Sequence, residues 1–126
     1  MMWLIAMGWI IFGFSTILIS GVSMIPMAAP PSGLHLDKVL HAFAYAILTV
    51  GLIFAWPKRA LPLIFVVAFG IGGIIEICQG LFASGRTASF ADALANGFGG
   101  LTVILTWMIL YPLYQKYLDV RELPQE

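Results

Sequence analysis

The sequence predicts an all-helical membrane protein in which four transmembrane helices pack as one bundle. Of its 126 residues, 61% are hydrophobic and 10% are charged, whereas a soluble domain averages about 25% charged residues. The apolar residues fall into four runs, each close to the ~20 residues that a helix needs to cross the hydrocarbon core. Backbone groups in lipid must find hydrogen bonds within their own segment, so each run is expected to be helical.

The four helices are predicted at about 2–25, 38–56, 61–82 and 92–114, within a single domain that spans residues 1–126. The first run carries no charged side chain and exceeds the apolar core of about 7–15 residues in a secretory signal, so we interpret it as a retained helix. Pro57, Lys58 and Arg59 form a very short turn that makes the second and third helices a hairpin. The polar tail from residue 116 is expected to fray.

Positive charges set the predicted orientation, because cytoplasmic loops carry an excess of Lys and Arg. With four helices, both termini and the turn at 57–60 share one side of the membrane. That side holds four basic residues: Lys58, Arg59, Lys116 and Arg121. The other side holds two, Lys38 and Arg86. We therefore expect both termini in the cytoplasm.

Eight polar residues are expected together at the extracytoplasmic end of the bundle, and we call them the polar cluster. They are Asp37, Lys38, His41, Glu76, Gln79, Arg86, Asp92 and Asn96. On each helix their spacing of three or four residues puts them on one face. Polar groups at bilayer depth are costly and are retained mostly where they pair or function. Glu76 lies about 9 Å from its helix end, so it should meet Lys38, His41 or Arg86, or be protonated.

The cluster has a simpler interpretation as the contact that holds the helices together. Asp92 and Asn96 could act only as helix caps, and Lys38 could extend toward the membrane surface. Tyr45 on the second helix is more readily explained by packing than by a site. Interhelical polar pairs in membranes, however, stabilise by only about 0.6 kcal/mol on average, which is small beside the free-energy cost of desolvating eight polar side chains. We therefore favour a binding site that includes Glu76, Gln79 and His41.

At these residues the sequence resembles the VanZ-like family of small bacterial membrane proteins. The matching elements, in the family's order, are Asp37-Lys38-x-x-His41 with Tyr45, Glu76-x-x-Gln79, Gly85-Arg86, and Asp92-x-x-x-Asn96 with Gly99. The family often has an aromatic residue directly after the histidine, where this chain has Ala42. The resemblance implies a multi-pass protein of the bacterial cytoplasmic (inner) membrane. Through the family's founding member it also implies a link to low-level teicoplanin resistance, but no agreed biochemical activity.

The first functional hypothesis is a pocket in the cell envelope that binds the headgroup of a lipid, a lipid-linked cell-wall precursor or a lipidated glycopeptide. Lys38 and Arg86 would contact phosphate or carboxylate groups, and Gln79 and Asn96 would hydrogen-bond sugars or amides. The alternative is a small structural or assembly subunit of a larger membrane complex. The formal net charge of zero gives no indication of a nucleic-acid partner.

An enzyme that uses the same pocket is the weaker hypothesis. His41 could act as a general base oriented by Asp37, with Glu76 exchanging protons. A divalent metal held by His41, Glu76 and Asp92 is conceivable, but the spacing matches no known metal motif, so we predict no metal and no cofactor. A transporter is disfavoured because the polar residues lie at one end of the helices and leave no continuous polar path.

Overall fold

The protein is described by a computed structural model covering residues 2–25, 36–83 and 89–121. It contains four helices: α1 (Met2–Met24), α2 (Leu36–Ala55), α3 (Leu61–Phe82) and α4 (Phe90–Arg121). All four are long and apolar enough to cross a membrane, and no strand occurs among these residues. The predicted all-helical transmembrane bundle is therefore confirmed. The side of the membrane on which the termini lie stays a prediction.

The helix ends follow local chemistry, with departures from the predicted bounds in α2 and α4. The turn between α2 and α3 is as short as expected, with the Arg59 N–H donating to the Trp56 carbonyl at 3.0 Å, and Pro62 occupies the first turn of α3, where its missing N–H is harmless. α2 begins two residues earlier than predicted, so Asp37 lies in its first turn. α4 continues through Pro112 to Arg121, beyond the predicted end of the last helix at residue 114. The expected fraying of the tail from residue 116 stays a prediction.

α2 is the central helix and packs most extensively against α1 and α4. The chain runs up and down, so α1 and α3 end where α2 and α4 begin, and we call this the polar end of the bundle. Away from the polar end lies an apolar core made by α2, α3 and α4. Its buried members are Leu48, Leu52, Ile53, Ile64, Ala68 and Ile104.

Glycines allow the closest backbone contacts between helices. Gly8 lies against the Ala55 backbone, Gly51 against the Phe12 backbone, and Gly99 against the Ala42 backbone. In lipid no hydrophobic force drives helices together, so small residues that permit close approach favour association. Gly73 of α3, by contrast, has open space beside it.

Candidate functional site

An ion-pair group joins the beginnings of α2 and α4 at the polar end. The Lys38 ammonium donates a hydrogen bond to Asp37 Oδ2 at 3.3 Å and another to Asp92 Oδ1. The side chains of Lys38 and Asp37 are 36% and 44% exposed, whereas that of Asp92 is 14% exposed. Asp92 also lies in the first turn of α4, where a negative charge is favoured by the helix dipole.

His41 lies between polar groups from three helices. Its Nδ1 is 3.0 Å from Asn96 Oδ1 on α4 and 4.0 Å from Glu76 Oε1 on α3. Its Nε2 is 3.7 Å from Asp37 Oδ1, one turn earlier on α2. When Nδ1 donates its hydrogen to Asn96, the neutral ring keeps Nε2 as a hydrogen-bond acceptor. The predicted convergence of Asp37, His41 and Glu76 is therefore present in the structure.

Glu76 is buried as expected, but its hydrogen-bond partner is a residue that the sequence analysis missed. Its Oε2 accepts the backbone N–H of Ser89 at 3.2 Å. Ser89 is also the cap of α4, since its hydroxyl accepts the Asp92 N–H at 3.3 Å. The signal was available in the sequence, because a serine three residues before an acidic residue and an apolar run is typical of a helix start.

Among the seven described members of the polar cluster, six are joined by these contacts, and we call them the linked group: Asp37, Lys38, His41, Glu76, Asp92 and Asn96. The seventh, Gln79, is buried and donates from Nε2 to the Ser23 carbonyl of α1 at 3.2 Å, so it joins α3 to α1. Arg86 lies outside the described residues.

A cavity of about 460 Å³ lies between α1 and α2 and reaches the linked group at Asp37 and His41. Its walls are mainly apolar, with Phe14 and Leu18 on α1 and Leu40 and Ile47 on α2. Tyr45, which the sequence analysis assigned to packing, also lines this cavity.

The Tyr45 side chain combines complete burial with an unsatisfied hydroxyl group. The residue is 1% exposed and packs against Gly72 of α3. Its hydroxyl is buried and has no hydrogen-bond partner among the described residues. The hydroxyl is among the Tyr45 atoms nearest to Gly72 of α3, so it is enclosed between the helices and is not exposed on the cavity wall.

The linked group has some of the features of a cation site. Ligand atoms of Asp37, His41 and Asp92 lie within 4.8 Å of one another. The Lys38 ammonium, however, contacts both of these carboxylates. A metal ion would have to displace the lysine or share the carboxylates with it against charge repulsion. The sequence analysis had considered Glu76 in place of Asp37 for such a set.

The fold and the polar cluster together define a class: a small multi-pass membrane protein with ionisable groups gathered at one end of a four-helix bundle. The chain belongs to the VanZ/LLP1 family, whose family model matches residues 1–111. The match covers α1, α2, α3 and most of α4, so it confirms the resemblance seen in the sequence. No curated protein and no solved structure matched the chain.

Proposed function

We propose that this VanZ/LLP1 protein binds the headgroup of a membrane lipid, or of a lipid-linked envelope molecule, at the polar end of its bundle. The observation that carries the proposal is the cavity between α1 and α2. Its wall is apolar along α1 and α2, yet Asp37 and His41 are among its lining residues. A concave apolar site with a few convergent polar groups is the usual form of a small-ligand site.

The contacts within the polar cluster lead us to propose roles for its residues that differ from those suggested by the sequence. Lys38 was expected to contact a phosphate, but its ammonium already has two carboxylate partners. In the proposal Lys38 instead fixes Asp37 and Asp92, while Asn96 orients the His41 ring from α4. The exposed Asp37 carboxylate and the accepting Nε2 of His41 are then the groups that meet the headgroup.

A purely structural role for the cluster explains less of the geometry. Helix contacts account for the Lys38–Asp92 pair and for the Gln79 hydrogen bond to α1. They leave unexplained why Asp37 stays 44% exposed at the cavity. The alternative of a subunit in a larger complex rests on exposed apolar residues of α1, such as Ile10 and Ile17, which contact with lipid explains equally well.

The first test compares lipid binding by wild type and His41→Leu, using native mass spectrometry of delipidated protein titrated with phospholipid. The variant should bind about tenfold more weakly, since a hydrogen bond to a charged group contributes about 1.5–3 kcal/mol and about 1.4 kcal/mol is tenfold. Thr102→Ala is the control, because the exposed Thr102 hydroxyl donates to the Phe98 carbonyl of its own helix. Equal binding by all three proteins would refute a headgroup site at His41.

A second prediction concerns glycopeptide susceptibility, the cellular effect that the family resemblance suggests. We propose that occupancy of this site in the cytoplasmic membrane alters access to a lipid-linked cell-wall molecule, and that this lowers teicoplanin susceptibility. Expression in a bacterium without a VanZ-type protein should raise the minimal inhibitory concentration of teicoplanin. The His41→Leu variant should lose this effect, and Thr102→Ala should keep it. An unchanged concentration with wild type, at verified expression, would reject the cellular role and leave the lipid-binding test intact.

A further inference from the structure

We propose that the cavity between α1 and α2 holds one alkyl chain of a phospholipid whose headgroup ends in a primary ammonium group, with Asp37 as the counter-charge. This inference rests on the headgroup-binding function proposed above and names the class of ligand. It draws on three properties of the described residues: the shape of the α1–α2 contact, the length of the cavity, and its charge.

The contact between α1 and α2 is tight at one end and open at the other. Gly8 and Gly51 bring the two backbones together in the half farther from the polar end. The cavity occupies the other half of the same helix pair, from Phe14 to Ser23 on α1 and from Asp37 to Ile47 on α2. The glycine contacts therefore close the deep end, while the walls nearer the polar end stay apart.

The length of the cavity matches one leaflet of a bilayer. Asp37 and Ile47, both lining residues, are ten positions apart on one helix, which is about 15 Å at about 1.5 Å per residue. Half of a hydrocarbon core of about 30 Å is also about 15 Å. An alkyl chain that enters from the polar end would follow this apolar wall through the leaflet and stop near the glycine contacts.

The charge at the cavity favours a cationic headgroup. Asp37 is the only Asp, Glu, Lys or Arg among the described residues that line the cavity. Among the described members of the polar cluster, three are carboxylates and one is a lysine, and that lysine is shared by Asp37 and Asp92. An ammonium group would complete the pairing of Asp37, whereas an anionic headgroup without one would be repelled by it. A primary ammonium also donates hydrogen bonds, which a quaternary one does not.

The test uses phosphatidylethanolamine with a photoreactive diazirine in one alkyl chain, incorporated in phosphatidylcholine nanodiscs that contain the full chain. Cross-linked peptides should map to the lining residues of α1 and α2. Labelling there should exceed that by the matched phosphatidylglycerol probe about tenfold, as about 1.4 kcal/mol of ion pairing would give. Asp37→Asn should abolish this preference while the protein keeps its helical circular dichroism.

Two further variants separate the chain site from lipid contact on the outer surface. Ala44→Phe puts a large side chain on the cavity wall and should remove the labelling, whereas Ala6→Phe, on the exposed surface of α1, should not.

The outcomes distinguish this inference from the function on which it rests. Equal cavity labelling by both probes, lost in His41→Leu, would overturn the ammonium preference and support headgroup binding. Labelling that is unaffected by Ala44→Phe, with His41→Leu still impaired in lipid titration, would overturn the chain cavity alone. Wild-type labelling restricted to residues outside the cavity, together with unimpaired lipid binding by His41→Leu, would overturn both the chain cavity and the headgroup site.

Discussion

Replacing Gly99 with alanine is expected to destabilise the bundle by about 3 kcal/mol, the upper end of the usual range for overpacked sites. A Cβ at this position would overlap the Ala42 carbonyl oxygen, and it would lie 2.7 Å from the carbonyl carbon and 2.9 Å from the Cα atom of Ala42. Backbone cannot rotate aside as a side chain can, so α2 and α4 would have to separate. The measurement is unfolding in mixed detergent micelles, followed by circular dichroism.

Two other glycines provide matched controls for this substitution. At Gly13 on α1 and Gly70 on α3, no atom of a neighbouring helix lies within 4 Å of the position that an added Cβ would take. Alanine there should stabilise the protein slightly, by up to about 1 kcal/mol, because it favours the helix more than glycine does. If Gly99→Ala proves as harmless as Gly70→Ala, the close contact between α2 and α4 is not present in the folded protein.

The helices themselves were largely predictable, but their arrangement was not. Apolar runs of bilayer length indicated the number of helices, and Pro57 with its charged neighbours located the hairpin turn. The central place of α2 had no comparable signal, because hydrophobicity in lipid does not distinguish a neighbouring helix from a lipid chain. The backbone contact of Gly8 with Ala55 also depends on the rotation of each helix, which the α1 sequence leaves open.

The candidate site was predictable to the level of helix faces. The depth of Glu76 correctly indicated that it would turn inward, and spacing placed Asp37 and His41 on one face of α2. The particular partners needed the structure. Gln79 bonds to a backbone carbonyl, a group that every residue carries and that leaves no mark in the sequence. The Tyr45 hydroxyl was missed because a buried tyrosine ring packs in the same way whether or not its hydroxyl is paired.

The Lys38→Met substitution is expected to destabilise the protein by about 2 kcal/mol. It leaves the Asp37 and Asp92 carboxylates near each other without the ammonium that pairs with both. Loss of one partner from a fully buried ion pair costs about 3–5 kcal/mol, but the Lys38 side chain is 36% exposed, so solvent screening reduces the effect. Lys58→Met, in the exposed turn after α2, is the control and should change stability by less than about 0.5 kcal/mol.

A double-mutant cycle with Asp92→Leu identifies the source of this loss. Once Asp92 is replaced, removing Lys38 should cost at least about 1 kcal/mol less than it does in the wild type, because directly paired residues show coupling of about 0.5–3 kcal/mol. Additive effects would mean that the two side chains do not interact.

The Lys38→Met substitution should change lipid affinity in the opposite direction from stability. Lys38→Met frees the Asp37 carboxylate, so the variant should bind phosphatidylethanolamine more tightly than wild type does. If Lys38 itself held the lipid phosphate, the same substitution would weaken binding.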